Sequence, residues 1–421
     1  MRIFVTRRAV QAAARPIVVV TPASGDLQAM FTSPSNIEEL IRGFHLEDSM
    51  LRYSSFVPRL YNYCRSLGFE PGRILPSRAF CSDESQGYPT ILIAKHFGTF
   101  PFNHGRGGAI VATQRHAPFA EHGQDLVIVQ ASHVGYDPET RAFGRYRRIH
   151  AQHAGHSTSC GKIAGVIARY QREYEFAQAG VLLESCGGSL CVCIDNGLLR
   201  GNRSEGLFLN LPRLAAPDTN GEFTPVRAYS TSKSFPASGA LQRDLSDLHL
   251  REGERVPIGT RLQPAMFFFR RNLDETPEGR DQQELGLISA MPWIVTSPHP
   301  LLTAAQINTQ VEFDRAFRTA AQAPSFQGKR LLYVSGLNID ISPQSGENFP
   351  TTHFVPWAAY LQDRDGRARI LEQPELLMAL LAQSDDNPDA VDLEAAITVM
   401  AESDMVRVGP SGQPESATPA E

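Results

Sequence analysis

Apolar residues near the start of the chain return at helical spacing and predict two amphipathic helices. Ser35 and Glu38 form a capping-box pair, and apolar side chains follow them at intervals typical of one helix face. A second helical stretch contains Pro58, which predicts a kink, and it ends near Gly68. Two consecutive helices are therefore predicted ahead of the first strand.

Short apolar runs predict the strands. Ile74–Leu75 and Leu126–Val129 have the composition of buried strands, and Leu331–Ile341 is a longer run of the same kind. Phe354–Leu371, which contains an Asp-Gly turn, predicts a hairpin. The segment Tyr88–Ala94 is continuously apolar and fits either a buried strand or a helix, because periodicity does not separate the two.

Helical and strand-like patterns alternate through the middle of the chain. Ser157–Ser159 supply capping hydroxyls ahead of Cys160, where a helix with an apolar face is predicted to begin. Strand-like segments follow at Val181–Leu183 and Leu190–Ile194. Strands that alternate with helices predict an α/β fold with a central, largely parallel sheet flanked by helices.

The composition is that of an ordinary globular protein and argues against a nucleic acid as the partner. Of the 421 residues, 42% are hydrophobic and 20% are charged, which is enough for one large core with insertions or for two domains. A net charge of −5, with basic residues spread out, gives no reason to expect nucleic acid as a partner. No apolar run approaches the roughly 18 residues that a membrane span needs, so no membrane insertion is expected.

Two features bear on the compartment. The six cysteines are too few for a disulfide framework, so no structural disulfide is expected and a cytoplasmic location is predicted. Several arginines precede the first acidic residue, Asp26, as in an organellar transit peptide, and targeting to an organelle stays open.

Three residues at predicted element ends form a chemically coherent set. Cys81 follows a strand, His133 is predicted just beyond the end of a buried strand, and Cys160 lies at a helix N-terminus. Catalytic zinc commonly takes three protein ligands from Cys, His and carboxylate and keeps a fourth position open. Asp83 lies two residues after Cys81, so in an extended segment both side chains point to the same side. The set predicts a hydrolytic or hydrating zinc enzyme.

Taken alone, these residues also allow other interpretations. Cysteines are often simply buried apolar residues, and a Cys160 nucleophile with His133 as its base would make a thiol hydrolase. Cys186, Cys191 and Cys193 suggest a second metal cluster, but their apolar flanks favour buried strand cysteines. The glycine-rich loop at 105–108 lacks the context of a phosphate loop and is predicted to be a tight turn near the active site.

The order of several short segments adds a family resemblance. The segments are Cys81-Ser82-Asp83-Glu84, the 105–108 loop, His116-Ala117-Pro118, Ser132-His133-Val134-Gly135-Tyr136-Asp137, Ser157-Thr158-Ser159-Cys160-Gly161 and, later, Val334-Ser335-Gly336-Leu337-Asn338-Ile339. In order and spacing they resemble the limiting-CO2-inducible B protein family of algae and bacteria, a divergent branch of the β-type carbonic anhydrases. The resemblance covers residues 70–195 well and 330–372 loosely.

The resemblance implies a fold, a reaction and a set of roles. It implies a β-carbonic-anhydrase-like sheet with a C-terminal hairpin and insertions, a homodimer, and reversible hydration of CO2 to bicarbonate by zinc-bound hydroxide. Cys81, His133 and Cys160 would be the Zn²⁺ ligands, and Asp83 the acceptor beside the hydroxide.

One part of the family pattern is missing. β-type enzymes pair the aspartate with an arginine a few residues later, and here no arginine follows Asp83 in that stretch. Arg106 or Arg115 is a possible partner from elsewhere in the chain. The alternative is a catalytically weak or inactive zinc-binding scaffold protein of inorganic-carbon metabolism.

The combined patterns divide the chain into five parts. The region after residue 200 is rich in Pro, Gly and Ser and is weakly patterned, and the end of the chain is polar. The predicted parts are an N-terminal extension at 1–34, a zinc-binding catalytic core at 35–200, an insertion or subdomain at 201–325, the C-terminal part of the core at 326–402 and a disordered tail at 403–421.

Overall fold

A computed structural model describes most of the chain as a mixed α/β structure. The described residues are 34–46, 48–111, 125–147, 157–199, 201, 204–273, 281–322, 324–343, 350–402, 407–408 and 414–415. Almost all of the predicted N-terminal extension and most of the predicted tail lie outside these ranges. No helix within them is long and apolar enough to cross a bilayer.

The central sheet has eight strands in the described part of the chain. Its four long strands are β1 (Ile74–Phe80), β2 (Asp125–Asp137), β3 (Leu331–Ile341) and β4 (Thr351–Gln362). The first three are mutually parallel, with β2 in the middle, and β4 runs antiparallel to β3. Short strands complete the sheet at Leu51–Arg52, Phe102–Asn103, Ala142–Phe143 and Ala368–Glu372. The largely parallel sheet and the C-terminal hairpin predicted from the sequence are both confirmed.

Helices cover both faces of this sheet. They are α1 (Pro34–Gly43), α2 (Tyr53–Ser66), α3 (Gly87–Phe97), α4 (Gly161–Gly180), α5 (Pro300–Gln322), α6 (Gln373–Leu381) and α7 (Leu393–Glu402). Val127 and Val129 of β2 pack in the core that α2, α3 and α6 cover. Leu126 and Ile128, on the opposite face, pack against Phe313 of α5. Strands buried on both faces are continuously apolar, which explains the run that the sequence displays.

A second sheet is wholly antiparallel. Val181–Cys186 and Ser189–Asp195 form a tight hairpin within it, and three shorter strands flank them at Arg227–Ala228, Ser232–Pro236 and Arg255–Pro257. The sequence reading that placed the first two strands in the alternating parallel pattern is therefore wrong. The Gly187-Gly188 pair between them has positive φ angles, and this turn reverses the chain without a crossover helix.

Shorter elements connect the two sheets. The remaining helices and single turns are Glu84–Gln86, Asn196–Leu199, Leu211–Leu214, Gly239–Asp244, Gly259–Arg261, Pro264–Met266, Gln282–Leu287, Ile288–Ala290, Met291–Thr296 and Pro324–Phe326. The remaining strand pairs are Gly105–Arg106 with Ile110–Val111, Arg145–Tyr146 with Ser157–Thr158, Gly206–Leu209 with Phe267–Arg270, and Arg407–Val408 with Pro414–Glu415.

Two local predictions are resolved or corrected. The ambiguous segment Tyr88–Ala94 is helical and lies inside α3. The strand predicted at Leu126–Val129 continues to Asp137, so His133 lies within β2 rather than beyond its end. The polar side chains of β2 come after Val129, where the predicted strand ended. They are buried and hydrogen-bonded to partners distant in sequence, as Gln130 is to Ser335, so the strand can continue through them.

Candidate metal centre

The structure brings Cys81, His133 and Cys160 together at the centre of the fold. The two sulfur atoms and an imidazole nitrogen all lie within 4.8 Å of one another. All three side chains are buried, with residue exposures of 6%, 1% and 1%. Cys81 directly follows β1, which pairs in parallel with β2, and Phe80 lies opposite Ala131, so Cys81 lies close to His133 on the neighbouring strand.

Cys160 has a left-handed backbone conformation, and the residue before it packs closely against Gly135 of β2. Cys160 itself has φ 56°, a conformation in which a side chain is unfavourable, and it caps α4 without a side-chain hydrogen bond to the helix. A Cβ at Gly135 would lie only 2.8 Å from the Cβ of Ser159, so a glycine in β2 leaves room for this segment. The N-cap residue is Cys160, and the Ser159 hydroxyl lies 3.2 Å from His133 Nδ1, so the predicted capping by Ser159 is wrong.

The glycine-rich loop packs directly against Cys81. The backbone N–H of Gly108 donates a hydrogen bond to the Cys81 sulfur at 3.1 Å. Gly108 has φ +79°, and a Cβ at Gly105 would lie 2.2 Å from the carbonyl oxygen of Phe80. The loop is thus a tight turn that supports the cysteine and favours its thiolate form.

A buried aspartate fixes the ring of His133. Asp340 on β3 is 1% exposed, and its Oδ2 lies 2.8 Å from His133 Nδ1. The carboxylate holds the proton on Nδ1, so Nε2 is the nitrogen with a lone pair to offer. Nε2 is buried and has no hydrogen-bond partner in the structure. Metal-binding histidines almost always donate their other N–H to a carboxylate or carbonyl, so the residues present fit a metal ion.

A network of donors holds the Asp340 carboxylate in turn. Ser85 Oγ donates at 2.9 Å, Gln86 Nε2 at 3.1 Å and Thr352 Oγ1 at 3.1 Å. Gln86 accepts from Asn338 at 2.6 Å, so the network extends along β3. These donors satisfy the carboxylate oxygens and hold the group in one orientation although it is out of water.

The sequence reading missed Asp340. The signal was present, because Asn338 and Asp340 are polar residues two positions apart in an otherwise apolar predicted strand. Side chains at that spacing share one face, and a polar pair on a buried face requires partners.

Without a metal ion, Cys81, His133 and Cys160 have pKa values that are shifted in different directions. A hydrogen bond from the Cys160 thiol is the largest cause that lowers the pKa of Cys81, to about 4. The same hydrogen bond, together with burial, raises the pKa of Cys160. Burial alone would lower the pKa of His133, but Asp340 and the Cys81 thiolate raise it to about 10. A buried Cys160 with a raised pKa is a poor nucleophile, which disfavours the thiol-hydrolase interpretation.

These pKa shifts predict how metal uptake depends on pH. At pH 7 Cys81 is already ionised, whereas Cys160 and His133 still carry protons that a metal must displace. We expect the binding of one zinc ion to release about two protons at neutral pH, and zinc affinity to rise with pH. Calorimetric titration in two buffers of different ionisation enthalpy measures this release. Zinc binding with no proton release would contradict the assignment.

Asp83 lies beside the cluster and is held in place. It caps the short Glu84–Gln86 helix by accepting from the Ser85 N–H at 3.2 Å, and the Tyr146 hydroxyl lies 3.3 Å from the same oxygen, Oδ1. Burial would raise the pKa of Asp83, but the charge of His133 and the Ser85 hydrogen bonds lower it overall. The carboxylate is therefore ionised at neutral pH and half-buried.

The two candidate arginine partners do not pair with Asp83 in the described structure. Arg106 is exposed, and among the described residues no arginine forms an ion pair with Asp83. Arg115 lies outside the described residues. The cysteines of the second sheet also form no comparable site, since within the described ranges no other group of Cys, His and acidic side chains comes as close together. Cys191 and Cys193 are buried, as the sequence predicted, whereas Cys186 is only half-buried.

Loss of the Asp340 carboxylate should weaken metal binding. We expect Asp340→Asn to reduce zinc affinity by roughly 10–100-fold, because the uncharged amide is a weaker acceptor for the Nδ1 proton of His133 and also presents an NH2 group. Competition against a chromophoric chelator measures the affinity. Asp125→Asn is the matched control, since Asp125 is also 1% exposed but pairs with Arg330 and Arg364. Equal affinities in both variants would exclude a role for Asp340.

Comparison with known proteins gives only distant similarity. No family model matches the chain, and no curated protein matches it. Among solved structures, it is similar to PtLCIB4, a homolog of the limiting CO2-inducible protein LCIB, with a TM-score of 0.44 and 12% identity over 80% of this chain and 99% of that one. It is also similar to LCIB, with a TM-score of 0.37 and 12% identity over 80% of this chain and 98% of that one. Both names belong to the family that the sequence segments resemble. Values this low leave the function to be argued from the site itself.

Proposed function

We propose that the protein is a zinc-dependent carbonic anhydrase that hydrates CO2 to bicarbonate reversibly. The observation that carries the proposal is the convergence of two thiols with an imidazole whose Nε2 is left unpartnered by Asp340. Cysteine and histidine are the ligands that zinc prefers, and three of them leave a position open, as in catalytic sites. The sequence resemblance to the limiting-CO2-inducible B family supports the same reaction.

Zinc bound by these residues would supply Lewis-acid chemistry, lowering the pKa of a water molecule towards 7. Cys81 and Cys160 would bind as thiolates and His133 through neutral Nε2, while Asp340 keeps the proton on Nδ1. All three side chains are buried, so the surroundings of the ion would be poor in water. The protein thus contributes a rigid set of ligands and a dry surrounding.

Asp83 would orient the attacking water. The Ser85 N–H donates to Oδ1, and Oδ2 would accept a hydrogen bond from the nucleophile. An ionised carboxylate accepts and does not donate, so it selects one orientation of the O–H group and turns an oxygen lone pair towards CO2. The proton released by hydration leaves through solvent.

The charges around the site predict an alkaline rate profile. Two thiolates and Asp83 place negative charge around the open position, and among the described residues no arginine pairs with Asp83 to offset it. Negative charge opposes loss of a proton from water bound there. We expect the hydration rate to rise between pH 6 and 9, measured by stopped flow in buffers of constant ionic strength. A flat profile across that range would contradict this electrostatic reading.

A second candidate function is an inactive zinc-binding scaffold protein of inorganic-carbon metabolism. It is favoured by the surroundings of Asp83, which forms no ion pair with any described arginine. Both functions require zinc, so metal content does not distinguish them. Stopped-flow CO2 hydration on zinc-replete protein does.

The remaining expectations belong to the same proposal. We propose that residues 35–200 and 326–402 form the zinc-binding core, that the protein is a cytoplasmic homodimer and that CO2 and bicarbonate are its small-molecule partners. Sedimentation equilibrium tests the dimer. A single species with the mass of one chain at micromolar concentration would exclude it.

A further inference from the structure

A cavity of about 440 Å³ lies apart from the metal centre and shares no lining residue with it. One wall is the outer face of α4, where Arg169, Arg172 and Phe176 recur at helical spacing. The lining also includes Glu205, Gly206 and Leu207 at the start of the strand Gly206–Leu209, and Arg271, which follows the paired strand Phe267–Arg270. Its volume is within the range of small-molecule sites.

The described lining residues carry more positive than negative side chains. They include three arginines, Arg169, Arg172 and Arg271, and two acids, Glu173 and Glu205. Arg169 pairs with Glu205 at 3.4 Å, and Arg271 pairs with Glu173. Arg172 forms no ion pair with any described residue. Among the described lining residues one positive charge is therefore left over, and a concave site is where an anion is attracted most strongly.

Arg271 is buried and fixed in position. Its side chain is 1% exposed, and its guanidinium carbon lies 4.7 Å from the centre of the Tyr170 ring. One terminal nitrogen donates to the Arg270 carbonyl at 2.8 Å, and the other pairs with Glu173. Among the described residues Nε has no hydrogen-bond partner, and neither has Glu173 Oε2. A buried donor without a partner is costly, and an oxyanion placed in the cavity would satisfy it.

The cavity also has an apolar side. Phe176 is 54% exposed at its edge, and Leu198 and Leu207 line it as well. An exposed aromatic ring next to guanidinium groups is suited to a ligand that combines an anionic head with an apolar body.

We propose that this cavity binds a small organic oxyanion, a carboxylate or a phosphate monoester that carries an apolar group. Arg172 and Arg271 contact the anionic oxygens, since a guanidinium presents a planar fork of donors that matches both groups. Phe176 contacts the apolar part. The site is separate from the metal centre, so its occupancy does not depend on zinc.

Isothermal titration of the full-length, zinc-replete protein tests the site with three probes: phenyl phosphate, benzoate and inorganic phosphate. Ionic strength is held constant, because surface electrostatics are screened by salt. We expect Arg172→Gln to weaken binding of the probes by about tenfold, the loss of one charge-assisted hydrogen bond. Phe176→Ala should weaken phenyl phosphate and benzoate but leave inorganic phosphate unchanged. Both residues are exposed, so both variants should fold.

Arg243→Gln is the matched control, because Arg243 is an exposed arginine on another helix. If phenyl phosphate binds more tightly than benzoate, the ligand class is a phosphate monoester. If benzoate binds more tightly, the ligand class is a carboxylate. The proposal is overturned if no probe binds saturably, or if Arg243→Gln lowers affinity as much as Arg172→Gln.

Discussion

Replacement of Cys160 by alanine is expected to abolish zinc binding and CO2 hydration together. The change removes one of three side chains whose ligand atoms lie within 4.8 Å of one another, and no other described cysteine, histidine or acid joins that group. We expect zinc affinity to fall by more than the roughly 10–100-fold that follows loss of a residue which only orients a ligand. Metal analysis of the purified protein and stopped-flow hydration measure the two losses.

Cys64→Ala is the matched control for this variant. Cys64 is also fully buried, but it lies in the core between α2 and the central sheet. Its loss should lower the free energy of unfolding by about 1–2 kcal/mol, as for a small core truncation, without changing zinc content. A Cys160→Ala protein that still binds one zinc ion with unchanged affinity would show that the ligand assignment is wrong.

Replacement of Asp83 by asparagine is expected to keep zinc and remove most turnover. Asparagine retains the oxygen that caps the Glu84–Gln86 helix, so the local fold should persist. It loses the negative charge, and its amide group donates where the carboxylate only accepts. We expect the hydration rate to fall about 10²–10⁴-fold, the range for loss of a positioned acid–base group. Asp83→Ala should lose turnover to a similar extent with an added loss of stability.

The neighbouring residue Glu84 supplies the control for Asp83. Its exposed carboxylate accepts from the Tyr146 hydroxyl at 2.7 Å, one position along the chain from Asp83. Glu84→Gln removes the same charge and should leave turnover near that of the unaltered protein. If both variants lose activity equally, local charge rather than the position of Asp83 is what matters.

The sequence predicts which side chains converge better than it predicts the elements that carry them. Cys81, His133 and Cys160 each lie near the end of a predicted element, and the structure brings the three together. Their role as metal ligands stays a prediction. The predicted position beyond the end of a strand was wrong for His133, which lies inside β2. Buried polar residues inside a strand need hydrogen-bond partners from other parts of the chain. The partner of His133 is Asp340, which lies more than 200 residues away in sequence.

Topology was predicted only where local pattern determines it. The Leu331–Ile341 strand and the hairpin after it have turn signals in the sequence. Val181–Cys186 and Ser189–Asp195 have the same apolar content as parallel strands, but the two-residue Gly187-Gly188 loop between them is a hairpin signal that the sequence reading missed. The left-handed backbone of Cys160 has no sequence signal at all, because its cost is offset by contacts of the folded state.

Stopped-flow CO2 hydration by purified protein, with the zinc content determined on the same sample, decides whether the protein is a zinc-dependent carbonic anhydrase. We expect one zinc ion per chain and a hydration rate above that of buffer, rising towards alkaline pH. One zinc ion per chain without any hydration would contradict the proposed enzyme and leave the scaffold function. Hydration by protein free of bound metal would contradict the metal centre itself.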